Sequence, residues 1–163
     1  MLPQVWFRNT WSWRKDQPKP QIRLRPDGGL ELSHETLGVR YLHCEGRPAF
    51  LFCDNETNAP RLFGTPATAG YWKDAFHDHV IHNSADAVNP GRTGTKVAAH
   101  YVVSVPASGS VCIRLRLRAE ATGDAFGQFD EMFRQPGASI RSISRRPASP
   151  TAPFSNGSFT SCS

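Results

Sequence analysis

This chain has little of what would place it in a membrane, around a metal or in a known nucleophile family. No apolar run approaches the roughly 20 residues needed to cross a bilayer. The opening MLPQVWFRNTWSW has neither a basic n-region nor a continuous apolar h-region, so no signal peptide is read there. The four cysteines, Cys44, Cys53, Cys112 and Cys162, are spaced too widely for a CxxC zinc pattern or a dense disulfide frame. Three of them fall in strand-like runs, where a reduced thiol packs as a small apolar residue. There is no Gly-x-Ser-x-Gly elbow, and GRTGTK at 91–96 lacks phosphate-loop spacing, because Val97 follows Lys96 and the segment opens a strand rather than a helix. The expectation is a soluble, cytoplasmic chain with no cofactor and no metal.

Acid is missing from both ends. All fourteen acidic residues lie between Asp16 and Glu131, and fifteen of the nineteen basic ones lie at or before Arg118, so residues 1–131 carry a net charge of only +1. The remaining +4 comes from Arg134, Arg141, Arg145 and Arg146. A nearly neutral body has no electrostatic footprint for a polyanion, and neither nucleic acid nor membrane is expected as a partner.

Glycine and proline, thirteen each in 163 residues, imply many turns, and the intervening stretches read as strands. QIRLR at 21–25 alternates, PDGG at 26–29 is a turn signal and LEL follows, which together predict a hairpin. LGVRYLHCEG, PAFLFC, KVAAHYVVSVP and SVCIRLRLR are further strands, the last two predicted to form a hairpin across PASGS. Residues 54–95 read as a long irregular stretch with an aromatic centre, YWKDAFHDHVI. A single short helix is expected over 124–134, with Phe126, Phe129 and Phe133 on one face and Gly127 weakening it. The fold expected is all-β, a partial antiparallel β-sandwich over 1–135. Residues 136–163, with eight serines, four prolines and no acid, read either as a disordered basic tail or as a frameshifted end.

Three groups of side chains bear chemistry. His77 and His79 would share a face on a strand and make half of a metal site, with His100 as a further ligand, although a hydrogen-bonded surface histidine is the commoner case. Asp54 with Glu56, or Asp74 with Asp78, would supply two carboxyl groups across a sugar, but most such pairs in loops are turn caps or solvated charges. RNTWSWRKD places Trp11 and Trp13 beside Asn9, rings that stack on sugar faces next to in-plane hydrogen-bonding groups. Equally, Trp6, Trp11 and Trp13 alternate with polar residues as strand residues packed between sheets would. Asn55-Glu56-Thr57 and Asn156-Gly157-Ser158 match the glycosylation sequon, which carries little weight without a secretion signal.

Five ordered motifs, LPQVWFRNTWSW, LFCDNETN with RLFG, YWKDAFHDHVI, ADAVNPGRTGTKVAAHY and VPASGSVCIRLRL, together resemble part of bacterial proteins related to glycoside hydrolase family 63, the mannosyl-oligosaccharide-glucosidase-like proteins. The resemblance covers about residues 2–134. It implies the later part of an N-terminal β-sandwich domain that precedes an (α/α)6 barrel, and the barrel carries the acid and base of an inverting α-glucoside hydrolysis. No catalytic residue is then expected in this chain. Its partners would be the barrel and, through the parent enzyme, an oligosaccharide. Family members continue past the FDEMFR helix into a longer acidic, aromatic helix, so the change of composition after Arg134 favours truncation or a frameshift. The residues expected to touch sugar, if any do, are Asn9, Trp11, Trp13, Lys73, Asp74 and His77. The tryptophans would normally meet neighbours outside this segment. Each such ring covers about 150–250 Å², so the isolated chain is expected to be marginally stable and adhesive.

Overall fold

A computed structural model describes residues 1–14 and 16–134. The chain divides into two units, Met1–Phe126 and a second from Gly127 onward, whose described part holds the helix Phe129–Arg134. The first unit is built on two antiparallel sheets. The strands are β1 (Gln4–Trp6), β2 (Gln21–Leu24), β3 (Leu30–His34), β4 (Gly38–Cys44), β5 (Ala49–Cys53), β6 (Thr93–Gly94), β7 (Lys96–His100) and β8 (Leu115–Arg118). One sheet has the order β1-β7-β5, the other β6-β2-β3-β4-β8.

The expected all-β fold is present, and alternation explains how the sheets stack. In β2 and β3, Ile22, Leu30 and Leu32 are buried while Gln21, Arg23 and Ser33 are exposed. These three apolar residues meet Phe52 of β5 and Val97 of β7, so the core lies between the two sheets. Fully burying a side chain of this size contributes about 1.5–3 kcal/mol. In β5 and β7 the alternate residues are also buried: Leu51, Cys53 and Ala98 pack on the far face against Ala75 and Phe76. The three-stranded sheet is thus a middle layer covered on both sides, which is why AFLFC and KVAA read as apolar runs while β2 reads as alternating.

The predicted turn at 26–29 is present. Gly28 adopts φ +85°, its N–H donates to Arg25 O at 3.0 Å, and Asp27 Oδ1 accepts from Gly29 N at 3.0 Å. The second predicted hairpin is not formed. β7 pairs with β1 and β5, whereas β8 pairs with β4 in the other sheet. Residues 101–114 between them contain a turn closed by Gly109 N to Pro106 O at 3.0 Å, but neither flank forms a ladder. Cys112 accordingly lies outside any strand and is exposed, while Cys44 and Cys53 are in strands as expected.

The stretch 54–95 is not irregular throughout. It contains α1 (Ala59–Phe63), α2 (Ala75–His82) and a 3-10 turn, Ala85–Ala87. Asn58 caps α1 by accepting from Arg61 N, Pro60 sits in its first turn, and Gly64 ends it in the left-handed conformation. Conversely, the expected 124–134 helix is shortened to α3 (Phe129–Arg134), because Asp124 Oδ1 accepts from Phe126 N at 2.8 Å and holds that stretch in a turn. Residues 136–163 lie outside the described residues. Among the described residues, no helix is long and apolar enough to cross a membrane.

Candidate functional site

The polar centre of the first unit is the loop DNETN, residues 54–58, which leaves β5 where the chain also crosses between sheets. That crossing runs from Thr93–Gly94, paired with β2, through Thr95 into β7. A side chain at Gly94 would put its Cβ 2.3 Å from Cys53 O, so only glycine permits the approach. Thr95 is 1% exposed, and its polar groups are satisfied by the loop. Asp54 Oδ1 accepts from Thr95 N at 3.0 Å and from its hydroxyl at 3.2 Å, and Asn55 N donates to Thr95 Oγ1 at 2.8 Å. Asn55 Nδ2 donates to Phe7 O at 2.9 Å, so the amide of this sequon is engaged within the fold.

Both carboxylate pairs singled out in the sequence are held by one cation each. Lys19 Nζ lies 2.8 Å from Asp54 Oδ2 and 2.7 Å from Glu56 Oε1. Burial by itself lowers the Lys19 pKa, but the hydrogen bonds to the two carboxylates outweigh it and the value is raised. Arg61 Nη1 lies 3.1 Å from Asp74 Oδ2 and 3.0 Å from Asp78 Oδ2, and the hydrogen bond to Asp78 is the main cause of its raised pKa. Asp74 also accepts from Asn58 Nδ2 at 3.2 Å, which spends its carboxylate on α1 instead of on capping α2.

The six residues expected to touch sugar separate into two groups. Asn9 uses both ends of its amide on Ser12, at 2.8 and 3.2 Å, and so shapes the local turn. Trp11 is half-buried; its indole N–H donates to Glu56 Oε1 at 2.7 Å, and Lys19 Nζ stands 5.7 Å from its ring centroid. Trp13 is 65% exposed. Lys73, Asp74 and His77, in contrast, line one open groove of about 360 Å³ together with Gln4 and Lys96. Lys73 is fixed there by its N–H to Glu56 O at 3.0 Å and its Nζ to Thr57 Oγ1 at 3.1 Å. Lys96 donates to Lys73 O at 2.9 Å and stands 4.9 Å from the Phe76 ring centroid.

Trp6 was read from the sequence only as a ring packed between sheets, and the structure places it outside them. Trp6 is the register partner of Lys96 and therefore shares its face, and it is 56% exposed. The alternation Gln4-Val5-Trp6 carries the signal, since Val5 packs on the core and sends Gln4 and Trp6 to the groove side. The metal half-site that a strand would have allowed is not formed. Residues 75–82 are helical, so His77 and His79 point to different sides, and His77 instead meets His82 with ring centroids 5.2 Å apart. Among the described residues, no group of three metal-ligating side chains occurs. Burial pushes the Cys53 and Cys44 thiols up to about 12 and about 11, which disfavours the thiolate at both.

No family model and no solved structure matches the chain. An uncharacterized protein of Saccharomyces cerevisiae is 26% identical to it over 153 residues, covering 77% of this chain and 14% of the relative. The chain thus spans a small part of the length of the curated relative it matches.

Proposed function

We propose that this chain is a non-catalytic β-sandwich part of a larger cytoplasmic, family-63-like α-glucosidase, whose parent hydrolyses α-glucosidic bonds of oligosaccharides with inversion. The observation that carries this is the commitment of both carboxylate pairs. Glycoside hydrolysis needs one carboxyl group to deliver a proton and another to activate water. Here Asp54 and Glu56 share Lys19, and Asp74 and Asp78 share Arg61, so these groups serve the fold. The match to only 14% of a longer relative agrees with a part of a larger polypeptide. The exposed Trp6, Trp13, Leu62, Phe63 and Ile81 supply apolar surface for an intramolecular partner, for which an (α/α)6 barrel is the proposed occupant. The test is direct. The purified chain should release p-nitrophenol from a chromogenic α-glucoside no faster than buffer, and turnover that disappears in Glu56→Gln would overturn the reading.

A second reading, a carbohydrate-binding module, is favoured by the groove that gathers Lys73, Asp74 and His77 with Lys96, whose register partner Trp6 is exposed. It expects tryptophan fluorescence to shift on titration with gluco-oligosaccharides and the shift to vanish in Trp6→Ala. A well-folded sample that gives no shift removes it.

A further inference from the structure

The outer face of the five-stranded sheet carries Tyr41 and His43 of β4 opposite Arg118 and Arg116 of β8, with Arg25 following β2. After β8 the chain turns back along these arginines. Arg116 Nη1 donates to Ala125 O at 2.9 Å, Arg25 Nη1 to Ala121 O at 3.2 Å, and Arg118 Nη1 to Asp124 O at 3.4 Å. Arg114 stands 5.5 Å from the Phe126 ring centroid. Residues 119–126 are therefore a strap held by guanidinium–carbonyl bonds rather than by a strand ladder, and they bury Ala125 to 8% exposure.

His43 lies on the same face, and its Nε2 is buried without a hydrogen-bond partner among the described residues. The charged groups facing it are Arg25 from the end of β2, Asp27 from the β2–β3 turn, and Arg116 and Arg118 from β8. Asp27 is already paired with Arg25 at 2.8 Å. On the strap, Glu120 lies 3.7 Å from Arg118 Nε, and Asp124 is turned to Phe126 N. Gly29 closes over the ring, since a Cβ there would stand 3.7 Å from Nδ1. Phe126 and Arg47 line the same cavity as His43, a space of about 470 Å³.

A neutral imidazole tolerates this setting. An imidazolium would aim a second N–H into a place with no acceptor among the described residues and add a cation among three guanidiniums. We propose that His43 is an acid-sensitive latch: its protonation drives Arg116 and Arg118 away from the strap carbonyls, and residues 119–126 lift from the sheet while the two sheets stay paired. Burial, and then Arg118, lower its pKa from 6.5, so the latch opens on the acid side of that value.

Hydroxyl-radical footprinting of the intact chain between about pH 8 and pH 5, with Phe126 of the strap as reporter, tests this. Oxidation of Phe126 should rise several-fold as the pH falls, while that of Phe52 in β5, only 1% exposed, stays unchanged. In His43→Gln, neutral throughout, Phe126 should keep its protection. No acid-dependent change in the strap, or the same change in His43→Gln, overturns the latch. Should His43→Gln fail to fold, NMR on the wild-type chain decides. Strap amide shifts that track the His43 ring titration support the proposal, and strap shifts with a different midpoint refute it.

Discussion

The two sheets cover their outer faces by opposite means. The three-stranded sheet is covered by α2, which sets Ala75 and Phe76 on Leu51, Cys53 and Ala98. The five-stranded sheet is crossed by the strap 119–126, which sets backbone carbonyls on Arg25, Arg116 and Arg118. The first cover is apolar and is held by water exclusion, which neither salt nor mild acid weakens much. The second is a row of charge-assisted hydrogen bonds near the surface, each modest in net worth and open to changes in neighbouring charge. A pH-sensitive element therefore belongs on the second face, and the unpartnered imidazole of His43 lies there.

The sharpest way to break this contrast is Phe76→Ala. With Phe76 only 4% exposed, its truncation should cost about 3–5 kcal/mol in urea unfolding, and it should leave the pH dependence of stability as in wild type. Next in size is Asp54→Ala at the crossing between the sheets. Thr95 N and its hydroxyl lose their acceptor in a nearly sealed position, and about 1–3 kcal/mol should be lost. Asp54→Asn, which keeps one carbonyl oxygen, should cost less than the alanine variant, as read from their denaturation midpoints. The smallest effect belongs to the strap: Arg116→Met removes one bond to Ala125 O and should cost about 1 kcal/mol, seen as a small drop in Tm. The sign of the acid effect follows from linkage. The folded-state pKa of His43 is lowered, so the unfolded chain takes up a proton first as pH falls below 6.5, and stability present above that value declines toward lower pH.

Local chemistry was legible wherever it acts within a few residues. The alternation of QIRLR, the PDGG turn and the apolar run of PAFLFC each produced the element expected of it, because side-chain direction and backbone φ are set by neighbours in sequence. The helix α1 carried equally local signals, Asn58, Pro60 and Gly64, that a reading weighted toward loops passed over. The 96–118 hairpin failed for another reason. PASGS does turn the chain, but β1 and β5 already flank β7, and β8 finds its partner in β4. Among the candidate residues, Lys73, Asp74 and His77 were brought together by the start of α2, whereas Trp11 was drawn away by the hydrogen bond to Glu56, a residue 45 positions on.

The sequence by itself determined the all-β class, the strands β2 to β5 and the near-neutral body, since composition, alternation and turn residues act locally and survive without knowledge of partners. Only the tertiary structure decided which strands share a sheet, which cation each carboxylate pair would hold, and that three arginines of an alternating strand region would bind the chain's own backbone. Those outcomes depend on groups far apart in sequence competing for the same hydrogen-bonding atoms and the same apolar faces, and that competition is settled only when the whole unit packs.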